Sequence, residues 1–222
     1  MKICEIKDKN IAVGMWGISY LPDYKHWMKQ WKPSPDWRNS NYNDTLLKIL
    51  TENKNTIHHY FSTYHSEIEK ELLADFHPVN YKFTDYTCSS ENGSWALDRH
   101  SRLKETLNMF SEGCHDYYIL TRFDLYFSYD HLSRCEVKES RLNVTSKHTH
   151  GNDTECICDI LYIFDKSVLR PFRSFVETLR PKKGDISYYH KMHRLDNCPE
   201  ISYMIDGSYY SHNCPVWKVK RR

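Results

Sequence analysis

The chain has 222 residues, 40% hydrophobic and 27% charged, with a formal net charge of +2. That length buries a sizeable core in one domain, and the near-neutral balance excludes the basic field that nucleic-acid partners require. No apolar run reaches membrane-spanning length and no secretory apolar region opens the sequence, so we expect no transmembrane segment and a cytoplasmic, reducing setting for the eight cysteines.

Residues 11–18 (Ile-Ala-Val-Gly-Met-Trp-Gly-Ile) predict a buried first strand, in which Gly14 and Gly17 admit close approach by a neighbouring strand or by a ligand. Residues 21–43, with Trp27, Trp31 and Trp37 among Pro33 and Pro35, predict an irregular aromatic loop long enough for a lid or substrate-binding segment. Asn43 and Asp44 cap a short helix over 45–52, and 56–63 is a second strand by composition. Ile68, Leu72, Leu73 and Phe76 mark an amphipathic helix over 65–76 that Pro78 stops. A short strand over 81–86 and a polar loop over 88–94 lead to a helix over 95–110, with Arg99, Arg102 and Lys104 around it and Gly113 ending it.

Residues 117–127 (Tyr-Tyr-Ile-Leu-Thr-Arg-Phe-Asp-Leu-Tyr-Phe) are the most strand-like run in the chain. Arg122 and Asp124 interrupt it, and ionised groups are costly to bury unless paired, metal-bound or at the mouth of a site. Two apart, they share one side of an extended strand. They are either a structural ion pair or a phosphate- and metal-binding strand end. The alternation of strand and helix predicts a mostly parallel sheet with covering helices, whose ligands bind outside the carboxyl ends of the strands. Gly17, Thr63, Tyr64, Arg122 and Asp124 all fall near such ends.

Residues 129–152 are polar and turn-rich, with His148 and His150. A strand over 160–164 is entered through Cys156, Cys158 and Asp159, a helix over 167–179 tolerates Pro171, and Asp185 caps a helix over 186–195. A tyrosine-rich strand over 201–210 precedes a solvated tail over 211–222. Cys156 and Cys158 have no matching second pair, a weak zinc signal, and the sequons at Asn43, Asn92, Asn143 and Asn152 carry meaning only in a secreted protein.

In element order and in four short motifs the chain resembles the GT-A-type glycosyltransferases, which transfer a sugar from a nucleotide diphosphate donor. Thr121-Arg122-Phe123-Asp124-Leu125 resembles their Asp-x-Asp signature, in the variant of capsular-polysaccharide and large-DNA-virus sugar transferases where Arg replaces the first Asp. Phe61-Ser62-Thr63-Tyr64 looks like the strand end that packs on the nucleotide base, and the run from Asp159 to Leu169 like the acceptor-side strand leading into a helix. Gly184-Asp185-Ile186 resembles a shortened form of the Glu-Asp motif that supplies the base in inverting members.

The resemblance implies an α/β fold: a single GT-A-like domain over 1–222 with a Rossmann-like, mixed but mostly parallel sheet. Residues 1–128 would form its nucleotide-binding half, and 129–222 its acceptor-side half and tail. It implies Asp124 on Mn²⁺ or Mg²⁺, a metal shell completed by His190, His193 or His212, and Arg122 on a phosphate or the donor sugar. Gly14, Trp16, Gly17, Thr63, Tyr64 and Arg99 would line the nucleotide-sugar site, with Lys104 in reach of the diphosphate. Asp185 is the implied catalytic base, with Asp159 second. The implied partners are a UDP- or GDP-linked donor and a glycan or glycoprotein acceptor, in the host cytoplasm if the chain is viral. Two alternatives stand beside this reading. One is another nucleotide-dependent transferase, although the P-loop and the Gly-rich dinucleotide fingerprint are both missing. The other is a non-catalytic carbohydrate-binding module, which the 17 Tyr, 9 Phe and 6 Trp would also suit but which has no need of Arg122 and Asp124.

Overall fold

The computed structural model describes residues 1–20, 36–86, 95–150, 153–158, 160–180, 189–209 and 214–219. In chain order the elements are β1 (Asn10–Trp16), α1 (Lys48–Glu52), β2 (Thr56–Tyr64), α2 (Glu69–Phe76), β3 (Asn80–Thr84), α3 (Trp95–Met109), β4 (Tyr117–Arg122) and β5 (Leu125–Phe127). They continue with α4 (Tyr129–Ser133), β6 (Leu142–Val144), β7 (Lys147–His150), β8 (Asp153–Ile157), β9 (Tyr162–Asp165), α5 (Lys166–Thr178), β10 (Ile201–Tyr203), β11 (Ser208–Tyr209) and β12 (Trp217–Val219).

Seven strands form the central sheet in the order β10-β6-β9-β4-β1-β2-β3. Only β9 runs against its neighbours; every other pairing in the sheet is parallel. The expected mostly parallel α/β sheet is therefore present, and strands from both halves of the chain share it. Strand β1 is buried along nearly its whole length, as a strand covered on both faces must be. Its alternation divides the core. Val13 and Met15 join Phe61 and Ile119 against Leu46, Ile49 and Leu50 at α1 and Leu72 and Phe76 of α2. Ala12 and Trp16 join Tyr118 and Leu120 against Leu103 and Leu107 of α3 and Leu169 and Phe172 of α5.

Four expectations are corrected. The run over 117–127 is two strands, because the chain turns at Phe123 and Asp124 and β5 leaves the main sheet to pair antiparallel with β12. The tail over 211–222 thus supplies β12, and Val216 and Trp217 are buried. The stretch over 129–152 hides β6, an interior strand of the sheet. Its Asn143 is fully buried and is satisfied locally: Nδ2 donates to the carbonyls of Lys138, Arg141 and Ile163 at 2.9–3.1 Å, and Oδ1 accepts from Lys138 N. The tyrosine-rich run over 201–210 is also two strands, β10 and β11, separated at Gly207 with φ +102°. Among the described cysteines none is in a disulfide, and Cys135, Cys156, Cys158 and Cys214 are buried.

Candidate functional site

The chain moves outward from β1 through β2 to β3 and then returns to the other side of β1 as β4. The carboxyl ends of β1 and β4 therefore flank the point where strand order reverses, the place where open α/β sheets bind ligands. Register puts Trp16 of β1 directly beside Arg122 of β4, with Ser62 of β2 on its other side. The structure thus brings Trp16, Gly17, Arg99, Arg122 and Asp124 of the expected set together at the carboxyl ends of β1 and β4.

Gly17 leaves β1 with φ +95°, a left-handed conformation that favours glycine, and among the described residues no atom lies within 4 Å of where a Cβ would be. Its amide donates to Ser62 O at 3.1 Å. Ser19 just beyond is buried and fastened to β2: Ser19 N donates to Thr63 Oγ1 at 3.1 Å and Thr63 Oγ1 donates to Ser19 Oγ at 2.8 Å. The Arg99 guanidinium lies 5.4 Å from the centre of the Trp16 ring, in cation–π range.

Arg122 and Asp124 meet across the turn in a bidentate pair, Nε to Oδ1 at 2.9 Å and Nη2 to Oδ2 at 2.5 Å. The Asp124 side chain is 11% exposed and that of Arg122 31%. Between them Phe123 is fully buried, its ring 5.2 Å from that of Phe61. Beyond them the β5 backbone is held by β12 and by Asn41, whose Nδ2 donates to Phe127 O and whose Oδ1 accepts from Phe127 N, both at 2.7 Å. The turn is anchored on both sides, so the pair has a fixed place.

Gly14 faces α3. A Cβ there would stand 2.4 Å from Thr106 Cγ2 and 2.7 Å from Phe110 Cζ, so this glycine lets α3 lie close on the sheet. Thr63 and Tyr64 are also buried: Thr63 secures the turn after β1, and Tyr64 packs edge-on to Tyr86 at 4.9 Å beneath the Arg102 guanidinium. Lys104 is taken by Glu177 of α5 at 2.5 Å, away from those strand ends. Asp159, Asp185 and His212 lie outside the described residues, as does the side chain of His190.

A second polar group at the ends of β2 and β3 was missed by sequence reasoning. Arg102 donates through Nη1 to Thr84 Oγ1 at 2.7 Å and pairs with Glu105 Oε2 at 2.8 Å and Asp98 at 3.7 Å. Glu105 also accepts from Ser62 Oγ at 2.7 Å and from Lys82 Nζ at 2.6 Å. Burial opposes ionisation of Glu105, yet the hydrogen bonds from Lys82 and Ser62 and the nearby Arg102 hold its carboxyl below the ordinary value. Asp98 goes the other way: desolvation pushes it up to about 6 in spite of Arg102. The usable signal was the spacing of Asp98, Arg102 and Glu105, which sets all three on one helix face.

The implied divalent metal can be tested against these residues. Both oxygens of Asp124 are engaged by Arg122, and among the described residues no three His, Cys, Asp or Glu side chains gather as a metal-holding group. Asp124 in this arrangement does not fit a directly coordinated Mn²⁺ or Mg²⁺, which takes several oxygen ligands at once.

No protein-family model and no curated protein matches the chain. Solved structures do resemble it. An inositol-1-phosphate CTP transferase from T. maritima shares 13% identity at a TM-score of 0.48, covering 95% of this chain and 88% of that one. A 4-diphosphocytidyl-2C-methyl-D-erythritol synthase shares 9% at 0.45, covering 90% and 91%. A protein described as a nucleotide-diphospho-sugar transferase from Desulfovibrio desulfuricans G20 shares 10% at 0.46, covering 90% and 80%.

Proposed function

We propose that the chain is a nucleotide-dependent transferase that holds a nucleoside diphosphate outside β1 and β4 and passes a sugar from it to a hydroxyl of a glycan or glycoprotein. One observation carries this reading: an open glycine turn at Gly17, the ring-backed guanidinium of Arg99 and the guanidinium of Arg122 converge where strand order reverses. Guanidinium groups match the charge and the paired oxygens of phosphates. A module that only binds carbohydrate has no use for two of them at that point.

In the transfer the acceptor hydroxyl oxygen bonds to the anomeric carbon. The bond from that carbon to the diphosphate oxygen breaks, and its electron pair leaves with the nucleoside diphosphate. The hydroxyl proton passes to a base, for which Asp185 and Asp159 remain the candidates. The whole protein is incubated with UDP- and GDP-sugars plus glycan acceptors, and separately with CTP or UTP plus sugar phosphates. Release of nucleoside diphosphate that depends on an acceptor supports sugar transfer, whereas release of pyrophosphate moves the assignment to nucleotidyl transfer. Absence of both, with no thermal stabilisation by any nucleotide, overturns the reading.

A further inference from the structure

We infer that the Arg122–Asp124 pair replaces a divalent metal at the departing diphosphate: Asp124 is a positioning residue that aims the guanidinium, and Arg122 takes the developing charge. This rests on the reading above and departs from what the Asp-x-Asp resemblance implies.

The geometry argues it in three steps. First, both oxygens of the Asp124 carboxylate already accept from Arg122, one from Nε and the other from Nη2. A divalent ion entering there would share those oxygens with a guanidinium that cannot lose its proton, and the two like charges would repel at close range. Second, the guanidinium is only half used. It has five N–H donors, and among the described residues it bonds to nothing except Asp124, so the Nη1 edge remains for an incoming oxygen. Third, the aim is rigid. Arg122 is the last residue of β4, beside Trp16, while the turn that brings Asp124 back is pinned by buried Phe123 and by β12.

When the anomeric carbon–oxygen bond breaks, its electron pair stays on the diphosphate, and the Arg122 N–H donors meet that oxygen charge. No co-reactant is needed. The pair is neutral as a unit, so it contributes oriented donors rather than a net field, and such donors need no reorganisation as charge develops.

The test measures binding of UDP, GDP and the matching nucleosides to the intact protein by calorimetry, with EDTA and then with Mn²⁺. Wild type, Arg122→Ala, Arg122→Lys and Asp124→Asn are compared, each checked for folding by circular dichroism. Wild-type affinity for the diphosphate is expected to be the same in EDTA and Mn²⁺. Arg122→Ala should weaken the diphosphate by about ten- to a hundredfold while leaving the nucleoside unchanged, the loss of a charged hydrogen-bond donor pair. Arg122→Lys should recover part of that loss. Asp124→Asn should weaken it by a smaller factor and remain insensitive to Mn²⁺. If Mn²⁺ tightens the diphosphate in wild type and Asp124→Asn abolishes that effect, Asp124 is a metal ligand and the inference fails while nucleotide binding stands. If no nucleotide binds to wild type, the underlying function fails and the inference with it.

Discussion

Two arginine–carboxylate groups stand at the same edge of the sheet, and they are built for different purposes. At the ends of β2 and β3, the Arg102 side chain is 8% exposed and is shared among Asp98, Glu105 and Thr84, with Ser62 and Lys82 completing the lattice through Glu105. At the end of β4, Arg122 is 31% exposed and has Asp124 as its one hydrogen-bond partner among the described residues. The first group is buried, turns its hydrogen bonds inward and holds α3 to the sheet. The second keeps an edge in reserve at the point where strand order reverses. Arginine and aspartate alone do not make a site; what distinguishes one is capacity left over where solvent and a ligand can reach it.

Substitutions that cut each group test this contrast. Arg102→Met leaves partly buried Asp98 without its cation and Glu105 with Lys82 alone, and it should cost about 2–3 kcal/mol, a fall in Tm of several degrees. Arg122→Ala should cost about 1 kcal/mol in the same melt, because its pair is partly open to solvent. Equal losses at the two positions would erase the distinction. The two glycines of the first strand offer a parallel case. Gly14→Ala drives a methyl into Thr106, Leu120 and Phe110 and should cost about 1–3 kcal/mol of stability. Gly17→Ala meets no atom of the described residues and suffers only the left-handed backbone, about 1 kcal/mol, but should weaken UDP or GDP binding more than Gly14→Ala does.

The smallest effect belongs to Asp98. Its folded value near 6 lies above the ordinary 3.8, so the native state holds a proton between those limits that the unfolded chain has released. Its contribution is complete below about pH 3.8 and is lost as pH rises through 6. Asp98→Asn should therefore raise Tm relative to wild type by more at pH 7.5 than at pH 4, by a few degrees. A difference independent of pH would show that Asp98 titrates normally.

Much of this was legible in the sequence where side-chain pattern and backbone agree. The near-continuous apolar run of β1 and the helix spacing of Leu103 and Leu107 announce a covered parallel sheet. What stayed hidden depends on distant partners. Asn143 reads as a turn residue until Lys138, Arg141 and Ile163 supply its acceptors, so β6 looked like loop. Val216 and Trp217 read as tail until β5 meets β12. Gly14 and Gly17 carry the same letter, and only the neighbours show that one accommodates a helix and the other an opening. The Arg122–Asp124 pair was foreseen as a choice between ion pair and binding site; the geometry makes it an ion pair whose free edge is what a binding site would use.

The pairing of β5 with β12 also dictates a sequence in time. Leu125, one residue past Asp124, finds its strand partner in Val219, close to a hundred positions downstream. Closing so long a loop comes late, since its entropy must be lost before the contact rewards it. On the ribosome the first four strands of the sheet can assemble while β12 is still unsynthesised. The turn that aims Arg122 then acquires its second anchor only when β12 docks, so competence for binding trails the folding of the strands around it.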